Sequence, residues 1–157
     1  MSADVRFSDL SRELGYDFSG EIKIGGNYVP LLRNGNQIFL SGQIPRVGDE
    51  VLFVGAVGDT LDLLQGKKAA AICVMRALAL VQRAVGSLDA IASVLRMTVY
   101  VRCATSYTQH SEVADGASDL LARVLGPCGA HTRTSVGVLQ LPKGAAVELD
   151  MVLAVLD

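Results

Sequence analysis

The spacing of apolar residues along the chain changes period several times, and each change marks an element. Val5, Leu10 and Leu14 stand among polar neighbours from Asp4 to Leu14, a pattern that suits a short surface helix or an ordered arm; Gly25-Gly26-Asn27 separates it from the next element. Tyr28 to Leu32 and Gln37 to Leu40 are short strand-like runs around Arg33-Asn34-Gly35-Asn36, and Asn-Gly favours tight hairpin turns, so a hairpin is expected. Val51 to Val57 reads as a further strand before Gly58-Asp59-Thr60. From Leu61 to Val85 the chain is rich in Ala, Leu and Met, with polar positions at Lys67, Lys68, Arg76, Gln82 and Arg83, which predicts a helix buried on most sides and capped by Gly86. Leu95, Met97, Val99 and Val101 then alternate with Arg96, Thr98, Tyr100 and Arg102, the period of a strand with two unlike faces. A second helix runs from beyond Ser106 to Leu125, stopped by Gly126-Pro127.

The C-terminal third reads as a second hairpin, Thr132 to Gln140 with Ala145 to Leu153, joined by Leu141-Pro142-Lys143-Gly144 as a type I turn. A one-residue slip would exchange the faces of a strand, so the apolar pattern selects the register. Placing Val136 and Val138 beside Val147, Leu149 and Met151 gathers Arg133, Ser135, Gly137, Glu148 and Asp150 on the opposite face. Two readings fit that face. It is a solvated surface whose ion pairs are worth about 0–1 kcal/mol each, or a site in which a guanidinium holds a carboxylate, a carboxylate handles protons and Gly137 leaves room for a small ligand. The element order implies an α+β layer with two helices on one face of a sheet.

Composition narrows the functional classes. The 157 residues fit one domain, taken as 1–157 with 1–25 as its N-terminal arm; half are hydrophobic and only 19% charged, which points to surface hidden against other copies. A net charge of -2 without a basic run speaks against nucleic acid as a partner. The longest mostly apolar stretch, Ala69 to Val81, is interrupted by Arg76 and too short to span a bilayer, and the N-terminus carries no apolar signal region, so a cytoplasmic protein without membrane association is expected. Cys73, Cys103 and Cys128 then read as reduced thiols. Cys128-x-x-His131 is only half of a zinc site, His131 reads as a structural group beside the Arg strand, and His110 reads as solvated.

Several motifs occur in a recognisable order: Ser41-Gly42-Gln43-Ile44-Pro45 after a short strand, Gly129-x-His131-Thr132-Arg133-Thr134-Ser135-Val136-Gly137-Val138, and Leu141-Pro142-x-Gly144-x-x-Val147-Glu148-Leu149. From about Tyr28 to the C-terminus the chain resembles the reactive intermediate deaminase (RidA, YjgF-like) family. The resemblance implies a chorismate-mutase-like α+β fold, a homotrimer with small pockets between subunits, and cofactor-independent hydrolysis of enamines and imines to 2-keto acids and ammonia. It implies that Arg133 grips the substrate carboxylate, that Glu148 places the attacking water, that Tyr28 donates a proton or hydrogen bond, and that Ser41, Gly42 and Ser135 line the pocket. The ligand so implied is a small imino or keto acid, with no cofactor.

The chain departs from the family at Ser135, where many members carry Cys, and at Asp115, where members of a longer subgroup often show Asn. A different class remains open beside the enzyme: a non-catalytic trimer that senses small carboxylates through the Arg133 pocket. A mutase on the same scaffold and a ribonuclease using Arg96, Tyr100 and Arg102 are further alternatives, the last weakened by the charge and the lack of paired histidines.

Overall fold

A computed structural model describes residues 1–157. Helix α1 (Ala3–Leu14) is started by Ser2, whose hydroxyl accepts from the Val5 N–H, and ended by Gly15 in the left-handed conformation. It buries Ala3, Phe7 and Leu10, while Val5 faces out. Strands β1 (Leu31–Asn34) and β2 (Gln37–Gln43) form the expected hairpin, shorter at its start than the sequence pattern indicated. Asn34 pairs with Gln37, so the two loop residues are Gly35 and Asn36, and only Gly35 takes positive φ. That is the type II′ pattern rather than one centred on Asn34-Gly35.

The strand expected over Val51 to Val57 does not form. Arg46–Val47 (β3) and Glu50–Val51 (β4) make a two-residue ribbon, Phe53 turns to positive φ, and Val54 and Val57 touch other segments only through isolated bridges. Helix α2 (Leu63–Val85) begins at a capping box between Asp62 and Gln65 and ends at left-handed Gly86. Strand β5 (Ile91–Arg102) buries Val94, Met97, Val99 and Val101; a bulge between Val94 and Arg96 turns Leu95 outward, against the strict alternation. Helix α3 (His110–Leu125) packs so closely on α2 that a Cβ at Gly116 would lie 2.3 Å from the Lys67 carbonyl oxygen. Strands β6 (Thr132–Val138) and β7 (Val147–Val155) complete a five-stranded sheet in the order β1-β2-β7-β5-β6.

This order overturns the second hairpin. β6 runs parallel to β5, linked to it through α3, whereas β7 runs antiparallel to β5 on its other side, so β5 separates the two strands expected to pair. The connection still turns at Leu141 to Gly144, with the Gly144 N–H donating to the Leu141 carbonyl, but Lys143 has φ 60° and ψ 16°, which belongs to a type II turn and not type I. The core lies between one sheet face and α2 and α3: Ile38 and Leu40 of β2, Met97, Val99 and Val101 of β5, and Val147, Leu149, Met151 and Leu153 of β7 are buried there.

A second layer explains why α2 is buried nearly all round. Residues 1–24 lie over its outer side, tied by Gln82 Nε2 to Asp4 (2.6 Å), by Arg83 to the carbonyls of Phe18 and Gly20, and by Arg76 to the carbonyl of Lys23. Phe18 is buried in the same core as Ala79 and Val81.

Candidate functional site

The faces of the sheet decide which candidate residues can meet. Residues in register share a face. Arg133 stands beside Met97 and Ser135 beside Val99, on the helix-covered side; Glu148 stands beside Tyr100 and Asp150 beside Thr98, on the open side. The single face that would collect Arg133, Ser135, Gly137, Glu148 and Asp150 therefore does not exist. Val136, expected toward the core, shares the open face with Glu148 and is 39% exposed. The pattern inverts on β6 because the part of α3 over this edge strand is polar: Arg133 donates to Asp115 Oδ1 (2.9 Å), Ser118 Oγ (2.8 Å), and both the carbonyl (3.1 Å) and hydroxyl (2.8 Å) oxygens of Ser111.

Those contacts commit four of the five guanidinium N–H groups, and Asp115 is the carboxylate partner. His131 supports the arrangement from behind, with Nε2 2.8 Å from Ser118 Oγ and Nδ1 2.7 Å from the Gly129 carbonyl oxygen. The seryl groups of α3 were not singled out from sequence; their i, i+4, i+7 spacing (Ser111, Asp115, Ser118) places them on one helix side and is the signal that could have found them. Gly137 makes room for protein rather than ligand. A Cβ there would stand 2.6 Å from His110 Nε2 and 3.0 Å from Cys103 Sγ, and these two groups lie 3.4 Å apart, so His110 is packed and not solvated.

On the other side of the sheet Glu148, Tyr28 and Gly42 line one cavity of about 240 Å³, together with Gln43, Arg46, Arg76, Pro142 and Lys143. The β2 bulge between Leu40 and Gln43 opens the sheet edge at this point, and Gly42 lies against the Glu148 carboxyl, 2.9 Å from its Cδ to the place a Cβ would occupy. Burial raises the Glu148 pKa above the ordinary carboxylate value, and the negative charge of Asp150 raises it further. Asp150 is itself raised, by burial, although the Tyr100 hydroxyl (3.3 Å) and Arg96 pull it down. Ser41 is not in the cavity wall. Its hydroxyl donates to the Val29 carbonyl (2.8 Å) and its N–H to that of Pro30 (2.9 Å), which fixes the segment carrying Tyr28. Of the six sequence candidates, three meet at the cavity, one positions a member of it, and Arg133 and Ser135 lie across the sheet.

The chemistry such a cavity offers is general base catalysis by a carboxylate whose proton affinity burial has raised, a phenol to donate a hydrogen bond, and cationic side chains to attract an acid. No helix is long and apolar enough to cross a membrane.

Comparison with known proteins agrees with this geometry at the level of the fold. Protein TCP17 of Trypanosoma cruzi is 40% identical over 149 residues, covering 94% of this chain and 93% of its own length. An Agrobacterium tumefaciens protein of unknown function is 31% identical, with a TM-score of 0.85 over 98% of this chain and 92% of that one. A Shewanella oneidensis protein is 24% identical and superposes with a TM-score of 0.90 over 99% and 100% of the two chains. Residues 14–151 match the family described as "YjgF/chorismate_mutase-like, putative endoribonuclease". With its mixed sheet, its two helices on one face and this match across most of its length, the chain belongs to the YjgF/chorismate-mutase-like family.

Proposed function

We propose that the protein hydrolyses reactive 2-imino acids, in equilibrium with their enamines, to 2-keto acids and ammonia, without a cofactor. The observation that carries this reading is the convergence of Glu148, Tyr28 and Gly42 on one small cavity, with the Glu148 carboxyl drawn toward its protonated form. An imine carbon is already electrophilic, so catalysis requires positioning of a water and a proton acceptor near its working pH. Glu148 takes a proton as water adds to C2; the C–O bond forms, the C=N pair goes to nitrogen, and Glu148 passes its proton to that nitrogen. The carbinolamine then collapses, the C–N bond breaks with departure of ammonia, and the C2 hydroxyl proton returns through the carboxylate as the ketone forms. Tyr28 donates a hydrogen bond to the substrate nitrogen.

Arg133 and Glu148 lie on opposite faces of one sheet, so they act on one small substrate only when two copies share it. A homotrimer that brings the β6 edge of one copy against the Glu148 cavity of the next supplies that arrangement, with Arg133 exchanging Asp115 for the substrate carboxylate and Ser135 beside it. The exposed apolar residues of the open face, Phe39 and Val136, and the low charged fraction of 19% support burial against other copies.

The test is ammonia release from 2-iminobutanoate, generated in place by an amino-acid oxidase, measured above the spontaneous rate, together with light scattering of the purified chain. Acceleration by a trimer is expected, and Glu148→Gln should lower it by about 10²–10⁴-fold. Saturable binding of 2-oxobutanoate without ammonia release would replace the enzyme by a carboxylate sensor.

A further inference from the structure

Arg76 is the one charge in the middle of an otherwise apolar helix, and it is only 4% exposed. Its Nε donates to Gln43 Oε1 (3.3 Å), one terminal nitrogen to the Arg46 carbonyl (2.7 Å) and the other to the Lys23 carbonyl (3.1 Å). Every acceptor is neutral. A buried cation normally has an anion beside it, because withdrawal from water costs several kcal/mol that neutral dipoles only partly offset. The guanidinium instead lies near a second one: burial draws its pKa down, against an opposing pull from Cys73, and the nearby charge of Arg46 draws it down further. The Arg46 Nε–H is in turn buried without any acceptor.

Arg46, Arg76 and Lys143 all face the Glu148 cavity. Glu148 is not their counter-ion, because its carboxylate forms no ion pair with any of them. The remaining cation nearby, Lys23, is paired with Asp49, which also feels Arg46 from the outer side. The cavity is thus lined by two guanidinium groups without an ion-pair partner, one buried and one half-buried, and by an exposed ammonium at its rim.

We propose that this wall is an anion subsite and that it takes a carboxylate carried by the substrate side chain. On the deaminase reading, on which this rests, the α-carboxylate is held by Arg133 of a neighbouring copy, and the second acidic group lies against the Arg46 guanidinium and the uncommitted N–H groups of Arg76. The preferred substrates are then dicarboxylic 2-imino acids of four or five carbons. The reaction that supplies them forms an imine from an acidic amino acid.

Calorimetric titration of the full-length protein at constant ionic strength, in a buffer free of carboxylates, compares succinate and glutarate with propanoate and with inorganic phosphate. At least tenfold tighter binding of a dicarboxylate than of propanoate is expected, as one additional charge-assisted pairing provides. Arg46→Gln is the discriminating variant. It removes the unpaired donor and a charge while keeping the backbone carbonyl that receives Arg76, so the fold is retained and the dicarboxylate preference disappears.

Equal affinities for the acids, no binding of any of them, a preference that survives in Arg46→Gln, or phosphate binding tighter than succinate would each overturn the assignment. Turnover is read separately. Ammonia release from 2-iminobutanoate without a dicarboxylate preference removes the subsite and leaves the deaminase; a dicarboxylate preference lost in Arg46→Gln without ammonia release does the reverse.

Discussion

Replacing Gly42 with alanine tests the candidate site with the smallest possible change. The added methyl group would stand 2.9 Å from Glu148 Cδ, 3.1 Å from Cγ and 3.2 Å from Oε1, where ordinary contact begins at 3.4 Å and extends to 4 Å. Restoring contact requires the carboxyl to retreat by about 0.5 Å at least, and by about 1 Å for a relaxed fit. Gly42 is not among the residues with positive φ, so alanine meets no backbone strain, and the obstacle is the far end of a flexible side chain. Stability should fall by no more than about 1 kcal/mol, or roughly 2–4 °C in Tm for a chain of this size. Catalysis is less forgiving, because a misplacement of about 1 Å costs about 10²-fold in rate. We expect kcat/KM for 2-iminobutanoate to fall by about 10- to 100-fold, equivalent to roughly 1.4–2.7 kcal/mol of barrier. Coupled ammonia release and a thermal melt on the same preparation separate the two effects. A variant that melts like the parent and retains at least half its kcat/KM would refute the placement of Glu148 at the reacting centre.

Two further outcomes concern titrating carboxyl groups. Glu148 is a base only when ionised, so activity should be absent at low pH and rise through an apparent pKa above the ordinary glutamate value of about 4.3; the inflection should vanish in Glu148→Gln and move downward in Asp150→Asn, which removes the repelling charge, as a kcat/KM profile against pH will show. Asp4 is drawn up by burial but held below the ordinary value by hydrogen bonds from the Leu88 N–H, Ser87 and Gln82, so it stabilises the fold above its unfolded pKa and this stability is lost as pH falls through the folded one; Asp4→Ala should cost about 1–3 kcal/mol in urea unfolding at pH 7, a gap that narrows below about pH 4.

The helices and most strands were legible because each buries one side and the apolar period records it. Strand partners were not. Alternation along Thr132–Val138 and Val147–Val155 says that each is a strand, but nothing local records that β5 lies between them, since that depends on α3 carrying the chain back parallel. The face of Arg133 was misread for a related reason. Burying Val136 is the correct guess only where the covered side is apolar, and over β6 the covering helix offers Ser111, Asp115 and Ser118. Tyr28, Gly42 and Glu148, which line one cavity, were named from the sequence through the family resemblance, whereas Arg76 was hidden in plain view: a single arginine in an Ala-rich helix reads as the solvent stripe, and only the layer formed by residues 1–24 makes it an interior charge.

That layer also constrains how the chain reaches its final state. The partners of α1 are distant in sequence: Asp4 bonds to Gln82, Ser87 and Leu88, Arg6 to the carbonyl of Val124, and Glu13 to Arg123. During synthesis at about 5–20 residues per second, α1 leaves the ribosome well before its partners and must wait several seconds for the residues that receive it. Contacts so separated close late, once sheet and helices already stand. This early-made segment is therefore among the last to dock, and until it does the outer side of α2 is open to any chaperone or second nascent chain that recognises an apolar helix.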